Sequence, residues 1–154
     1  MESNKQIDSI LFVCLGNICR SPLAEAIAKD VCNKKGLYPV IESAGTGSWH
    51  IGEPPCQNSQ IIAKTKGLDI STYQARQVNE TDFKKFDLII GLDNSNISNL
   101  KKMGCKNPLL LGDFGFNGED VPDPYFFDGF EGFEKVYEMI EVCVTSLIAQ
   151  TFEA

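Results

Sequence analysis

Ile10-Leu-Phe-Val-Cys14-Leu-Gly-Asn-Ile-Cys-Arg20-Ser-Pro22 is the stretch on which the reading of this chain turns. Four large or β-branched apolar residues, Ile10 to Val13, suit a buried strand. Gly16-Asn17 allows a tight loop, and Ser21-Pro22 fits an N-cap followed by the first helical position. A strand feeding a loop and then a helix aims loop amides and the helix's positive end at one point. A thiol at that point ionises more easily than an isolated one, whose pKa is roughly 8.5, and the ionised form is the nucleophile. Arg20 adds a planar fork able to grip two phosphate oxygens at once. Cys14 as nucleophile, Arg20 as clamp and a cradle running through Leu15, Gly16, Asn17, Ile18, Cys19 and Ser21 predict phosphoryl transfer through a covalent cysteinyl intermediate. A cysteine ending a strand is otherwise most often a small core residue. The strand before, the glycine within and the helix after favour the chemical reading.

Other phosphate loops are excluded by their own requirements. No GxxxxGK[ST] string occurs, and Gly45-Thr-Gly47 lacks the third glycine of a dinucleotide fingerprint. The 154 residues, 43% of them hydrophobic, are read as one domain from 1 to 154 with a real core. A net charge of −7 argues against nucleic acid and anionic membranes as partners. The polar start, Met1 to Ser9, does not resemble a signal peptide, and no apolar run approaches the roughly 20 residues that span a bilayer. The expectation is a cytoplasmic protein with reduced thiols, since six cysteines without a CxxC pair make a poor disulfide or zinc framework. The chemistry as read uses no metal and no cofactor. Oligomeric state is not legible.

Outward from the loop, apolar runs alternate with helical patterns. A first helix is read over Pro22 to Lys35, a second strand over Pro39 to Ser43, and a second helix over Pro55 to Lys66. A third strand spans Asp87 to Leu92, and a short helix capped at Asp93 runs to Met103. Asn107 to Leu111 reads as a fourth strand, and a loop rich in Gly, Asp and Pro runs from Gly112 to Asp128. The last helix, about Phe130 to Phe152, places Phe133, Val136, Tyr137, Ile140, Val144 and Leu147 on one stripe. The predicted fold is a three-layer α/β/α sandwich around a four-stranded parallel sheet, with the phosphate-binding loop between the first strand and the first helix. In such sheets ligands sit beyond the carboxyl ends of the strands, where Cys14 lies.

Attack on phosphorus needs an acid for the departing oxygen. Asp123 is the choice over His50 and Asp120, because Pro122 and Pro124 stiffen the backbone on either side of it. An aspartate beside proline is commonly only a turn residue. The cysteine loop tips the balance toward catalysis.

These residues resemble the low-molecular-weight protein tyrosine phosphatases. The likeness rests on Val13 to Pro22, Ser43-Ala-Gly-Thr46 with Trp49-His50, Ala75-Arg-Gln77 and Asp123-Pro-Tyr125, which occur in family order along nearly the whole chain. The resemblance implies that Cys14 is the nucleophile and that Arg20 steadies the transition state. Asp123 would protonate the phenolate and then activate water, Asn17 would hold an unusual loop backbone, and Ser21 would hydrogen-bond the thiolate. That last role competes with capping by Ser21. The resemblance also implies a phosphotyrosine-containing protein as substrate, held in a cleft walled by Trp49 and Tyr125, and a protective disulfide between Cys14 and Cys19. Cys32 and Cys143 are expected in the core, while Cys56 and Cys105 carry no clear signal.

Two positions depart from the family. Cys56-Gln-Asn58 stands where many members carry Asp-Pro-Arg, and Tyr73 stands where many have a histidine that anchors the loop asparagine, so Tyr73 could offer its hydroxyl to Asn17, alongside Ser43. Rival readings are an arsenate reductase, disfavoured because Ile70 to Leu100 holds no cysteine, and a protein arginine phosphatase, disfavoured by Ile18 in place of threonine. A phosphate-binding module without turnover would not need Cys14 or Asp123.

Overall fold

The computed structural model describes residues 6–124 and 130–152. Four parallel strands lie in the order β2-β1-β3-β4: β1 Ser9–Cys14, β2 Val40–Gly45, β3 Leu88–Gly91 and β4 Leu109–Leu110. Between them run helices α1 Arg20–Lys34, α2 Gln57–Thr65, α3 Glu80–Lys85 and α4 Asn94–Lys102, and α5 Glu131–Phe152 closes the chain. A short 3-10 turn, Leu111–Phe114, follows β4.

Every residue of β1 is buried because the strand is covered on both faces. Alternation sends its side chains to two different cores. Ile10, Phe12 and Cys14 join the cluster built with α1, α2 and α5. Leu11 and Val13 join Phe86, Ile89 and Leu100 on the other face. The expected stripe on the last helix is buried, from Val136 to Leu147 in the first cluster, with Cys143 and Ile148 widening it. Cys32 and Cys143 are core residues, as expected.

Among the differences from expectation, two boundaries and one helix bear on the site or its surroundings. The first helix begins at Arg20 rather than Pro22, with Cys19 at its N-cap, so Ser21 lies inside the first turn and is not the cap. Pro22 fits there because the amides of a helix's first turn have no intrahelical acceptor to lose. The second strand runs on to Gly45, two residues beyond Ser43. Helix α3 was not anticipated; its capping box joins Asn79 and Asp82 in both directions.

The strand order places the reversal of winding between β1 and β3. Cys14 ends β1 there, and Leu92 and Asp93 leave β3 beside it.

Candidate active site

The loop after β1 is pinned from outside by its carbonyls. Cys14 O accepts from the Thr46 amide at 2.9 Å, Leu15 O from Gly47 at 2.9 Å, and Ile18 O from Cys56 at 2.8 Å. Cys19 O accepts from Ser59 Oγ at 3.0 Å. In a planar trans peptide the C=O and the following N–H point opposite ways. Anchoring these four carbonyls outward therefore turns the amides of Leu15, Gly16, Cys19 and Arg20 toward the inside of the loop, the arrangement that makes an anion-binding concavity. Gly45 allows the close approach: a Cβ there would lie 2.7 Å from Leu15 O.

Asn17 holds the sharpest point of the loop at φ 58, a left-handed conformation whose cost is of order 1–3 kcal/mol. Its side chain is bonded at both ends. Nδ2 donates to Ser21 Oγ at 2.8 Å and to Ser43 Oγ at 2.9 Å, and Oδ1 accepts from the Arg76 amide at 3.0 Å. Ser43 in turn donates to Glu25 Oε1 at 2.7 Å, and Glu25 pairs with Lys29. The Arg76 guanidinium is fixed by both oxygens of Asp82 at 2.9 and 3.0 Å. Tyr73 does not take the asparagine. Its phenol packs beside Lys29, whose Nζ lies 5.1 Å from the ring centroid, and burial together with Glu25 pushes its pKa up.

Cys14 is 2% exposed. Its Sγ lies 3.0 Å from Ser21 Oγ and accepts from the Asn17 amide at 3.3 Å. Because Ser21 already accepts from Asn17, its own proton is available to the sulfur. The hydroxyl expected to serve as cap or thiolate partner therefore faces the thiol. Arg20, 5% exposed, donates through Nη1 to Asp93 Oδ2 at 2.6 Å and to Val121 O at 2.9 Å. Burial draws the guanidinium's pKa down, but Cys14, Asp93 and Asp123 outweigh it and the net shift is upward. Sequence reasoning recognised Asp93 only as a cap, a role it also fills through Oδ1 on the Asn96 amide at 2.8 Å. The ion pair spans 73 positions, and no local pattern announces it.

Cys14, Leu15, Gly16, Ile18, Cys19, Arg20, Trp49, His50 and Asp123 line one cleft of about 160 Å³. Thus the nucleophile, clamp and acid expected from sequence share a wall. Trp49 stands at the mouth, 70% exposed, with its ring folded against Gly47, where a Cβ would meet it at 2.0 Å. His50 lies beside Gly16 and contacts Glu53 Oε1 at 3.2 Å. Asp120, the competing carboxylate, is engaged by the Asn94 amide and side chain, both at 2.8 Å. Tyr125, the other expected wall, lies outside the described residues. Cys19 Sγ sits 2.7 Å from Cys56 Sγ, a neighbour the sequence did not suggest. Among the described residues no cluster of His, Cys, Asp and Glu could hold a metal ion.

Comparison with known proteins agrees with this geometry. Residues 9–153 match the family model described as low molecular weight phosphotyrosine protein phosphatase. The low molecular weight protein-tyrosine-phosphatase YfkJ of Bacillus subtilis is 46% identical over 149 residues, covering 92% of this chain and 94% of that protein. The crystal structure of YfkJ superposes with a TM-score of 0.87, covering 97% of this chain and 98% of that one at 40% identity. Drosophila arginine phosphatase superposes with a TM-score of 0.86 at 34% identity, covering 93% and 97% of the two chains. This chain belongs to the low molecular weight phosphotyrosine protein phosphatase family and is an enzyme of the protein-tyrosine-phosphatase class.

Proposed function

We propose that this enzyme hydrolyses phosphotyrosine in proteins through a phosphocysteine on Cys14, with Asp123 as acid and then base. The observation that carries the reading is the cleft shared by Cys14, Arg20 and Asp123. The phosphoryl oxygens rest on the inward amides and the Arg20 fork, where developing charge in the transition state is met by fixed donors. The Cys14 thiolate attacks phosphorus in line with the tyrosyl oxygen. As that P–O bond breaks, Asp123 gives its proton to the phenolate. The aspartate, now ionised, takes a proton from water attacking the phosphocysteine. Phosphate leaves and the thiolate returns, stabilised by the Ser21 hydroxyl and the Asn17 amide.

The wall supports a flat aromatic substrate. Leu15, Ile18 and Trp49 line the cleft with apolar surface, which suits a flat aromatic ring better than the short, polar phosphoserine side chain. The likeness to an arginine phosphatase makes phosphoarginine the competing substrate, and Ile18 disfavours that more polar group. The six cysteines, all thiols here, suit the reducing cytoplasm. Among the described residues no helix is long and apolar enough to cross a membrane.

Peptides carrying phosphotyrosine, phosphoserine or phosphoarginine, assayed side by side, test the reading. The phosphotyrosyl peptide should have the highest kcat/KM and the phosphoseryl peptide almost none. Faster turnover of phosphoarginine would overturn the substrate assignment.

A further inference from the structure

We propose that Cys19 and Cys56 form a redox site that receives oxidation from Cys14 and holds it as a disulfide away from the nucleophile. The proposal rests on Cys14 being the reactive thiolate.

The two sulfurs are already 2.7 Å apart. Cys19 occupies the N-cap of α1 and Cys56 the N-cap of α2, and neither side chain caps its helix. The backbones are locked together at this point. The Cys56 amide donates to Ile18 O at 2.8 Å, and Ser59 Oγ donates to Cys19 O at 3.0 Å while lying 3.1 Å from Cys56 Sγ. A disulfide, at roughly 2.05 Å, therefore needs only a small side-chain approach and no change in how the loop is held. Cys14 is placed differently. Its sulfur is engaged by Ser21 and Asn17 at the bottom of the cleft, while Cys19 lies on the wall of the same cleft and Cys56 behind it. Cys14 and Cys19 thus share the cleft, and half-buried Cys56 meets Cys19 from outside its lining.

The chemistry balances with hydrogen peroxide as oxidant. The Cys14 thiolate attacks peroxide, the O–O bond breaks, and a sulfenic acid and hydroxide result. Cys19 attacks the Cys14 sulfur, forming an S–S bond as the S–O bond breaks, and its proton leaves with hydroxide as water. The Cys56 thiolate then attacks Cys19 Sγ, the new disulfide forms, and Cys14 departs as thiolate. One peroxide and the two thiols Cys19 and Cys56 become two waters and one disulfide. The proton lost by Cys56 neutralises the hydroxide of the first step, completing the two waters, and Cys14 regains its starting state.

The test is disulfide mapping of the full chain after brief peroxide treatment, with alkylation before digestion, alongside phosphatase activity measured without reductant. The wild type should show a Cys19–Cys56 disulfide, alkylated Cys14 and retained turnover. Cys56→Ser should match wild-type turnover before oxidation, accumulate Cys14–Cys19 on oxidation, and lose activity until dithiothreitol is added. A wild-type map showing Cys14–Cys19 with Cys56 alkylated would overturn the proposal, as would equal sensitivity of Cys56→Ser and wild type. Turnover before peroxide and phosphate trapping on Cys14 report separately on the nucleophile assignment.

Discussion

Asp93 holds Arg20 with one carboxylate oxygen, Oδ2 at 2.6 Å from Nη1, and caps α4 with the other, Oδ1 at 2.8 Å from the Asn96 amide. One side chain thus ties Arg20 on α1 to the helix that leaves β3. The pair is largely buried, with side-chain exposures of 6% and 18%. Such pairs add little over an apolar contact but are expensive to break from one side.

Asp93→Ala should therefore destabilise the protein by about 3–5 kcal/mol, the loss typical when one partner of a buried pair is removed. Asp93→Asn keeps an oxygen for the cap and should cost less, yet still lower kcat/KM by loosening the fork. Urea unfolding and steady-state kinetics on both variants check this. Equal stability of Asp93→Ala and wild type would show that Arg20 is held by Val121 O alone.

Asn17 separates backbone conformation from side-chain anchoring. Asn17→Gly relieves the left-handed residue at φ 58 but removes the bonds to Ser21, Ser43 and Arg76. Asn17→Ala loses both advantages and should be the less stable of the two. Both should reduce kcat, because the Ser21 hydroxyl is no longer directed toward Cys14. Wild-type kcat in Asn17→Gly would mean that backbone shape alone sets the loop.

Asp123→Ala should slow hydrolysis of esters with poor leaving groups much more than of activated aryl phosphates, since only the former need a proton in the transition state. Asp120→Ala should release the start of α4 instead, with a modest stability loss and no leaving-group dependence. A leaving-group series for each variant decides between the carboxylates.

Alkaline pH should destabilise the fold through two buried acids on α5. Burial pushes Tyr137 up to about 12 and Cys143 up to about 11. In the unfolded chain these groups ionise near about 10 and about 8.5. The native state thus binds more protons in that window, and stability present below it is lost as pH rises from about 8.5 to about 12. Thermal unfolding across this range should show the fall, and Tyr137→Phe should flatten its upper part. An unchanged slope in Tyr137→Phe would place the effect elsewhere.

The fold was legible where one local pattern had one outcome. The apolar run from Ile10 to Val13, the stripe on α5 and the cap at Asp93 each name an element without reference to the rest of the chain. Ser21-Pro22 misled because two uses of the same hydroxyl compete: as a cap it would start the helix, whereas contact with the Cys14 sulfur lets the helix begin two residues closer to the loop. Helix α3 had a readable signature in Asn79 and Asp82, but at six residues it offers almost no periodicity to support it. That Cys14, Arg20 and Asp123 would meet in one cleft was legible because loop and proline chemistry mark them locally. Their supports were mostly not: Ser43 beside Asn17 was expected through the family resemblance, but Arg20 with Asp93 and Cys19 with Cys56 join positions that only the sheet topology brings together.

The most direct test of the mechanism is mass spectrometry of the enzyme quenched in acid within milliseconds of mixing with a phosphotyrosyl peptide. The account predicts phosphate on the peptide containing Cys14, accumulating further in Asp123→Ala when the leaving group is activated, and absent in Cys14→Ser. Steady turnover with phosphate on no residue, or on a residue other than Cys14, would contradict it.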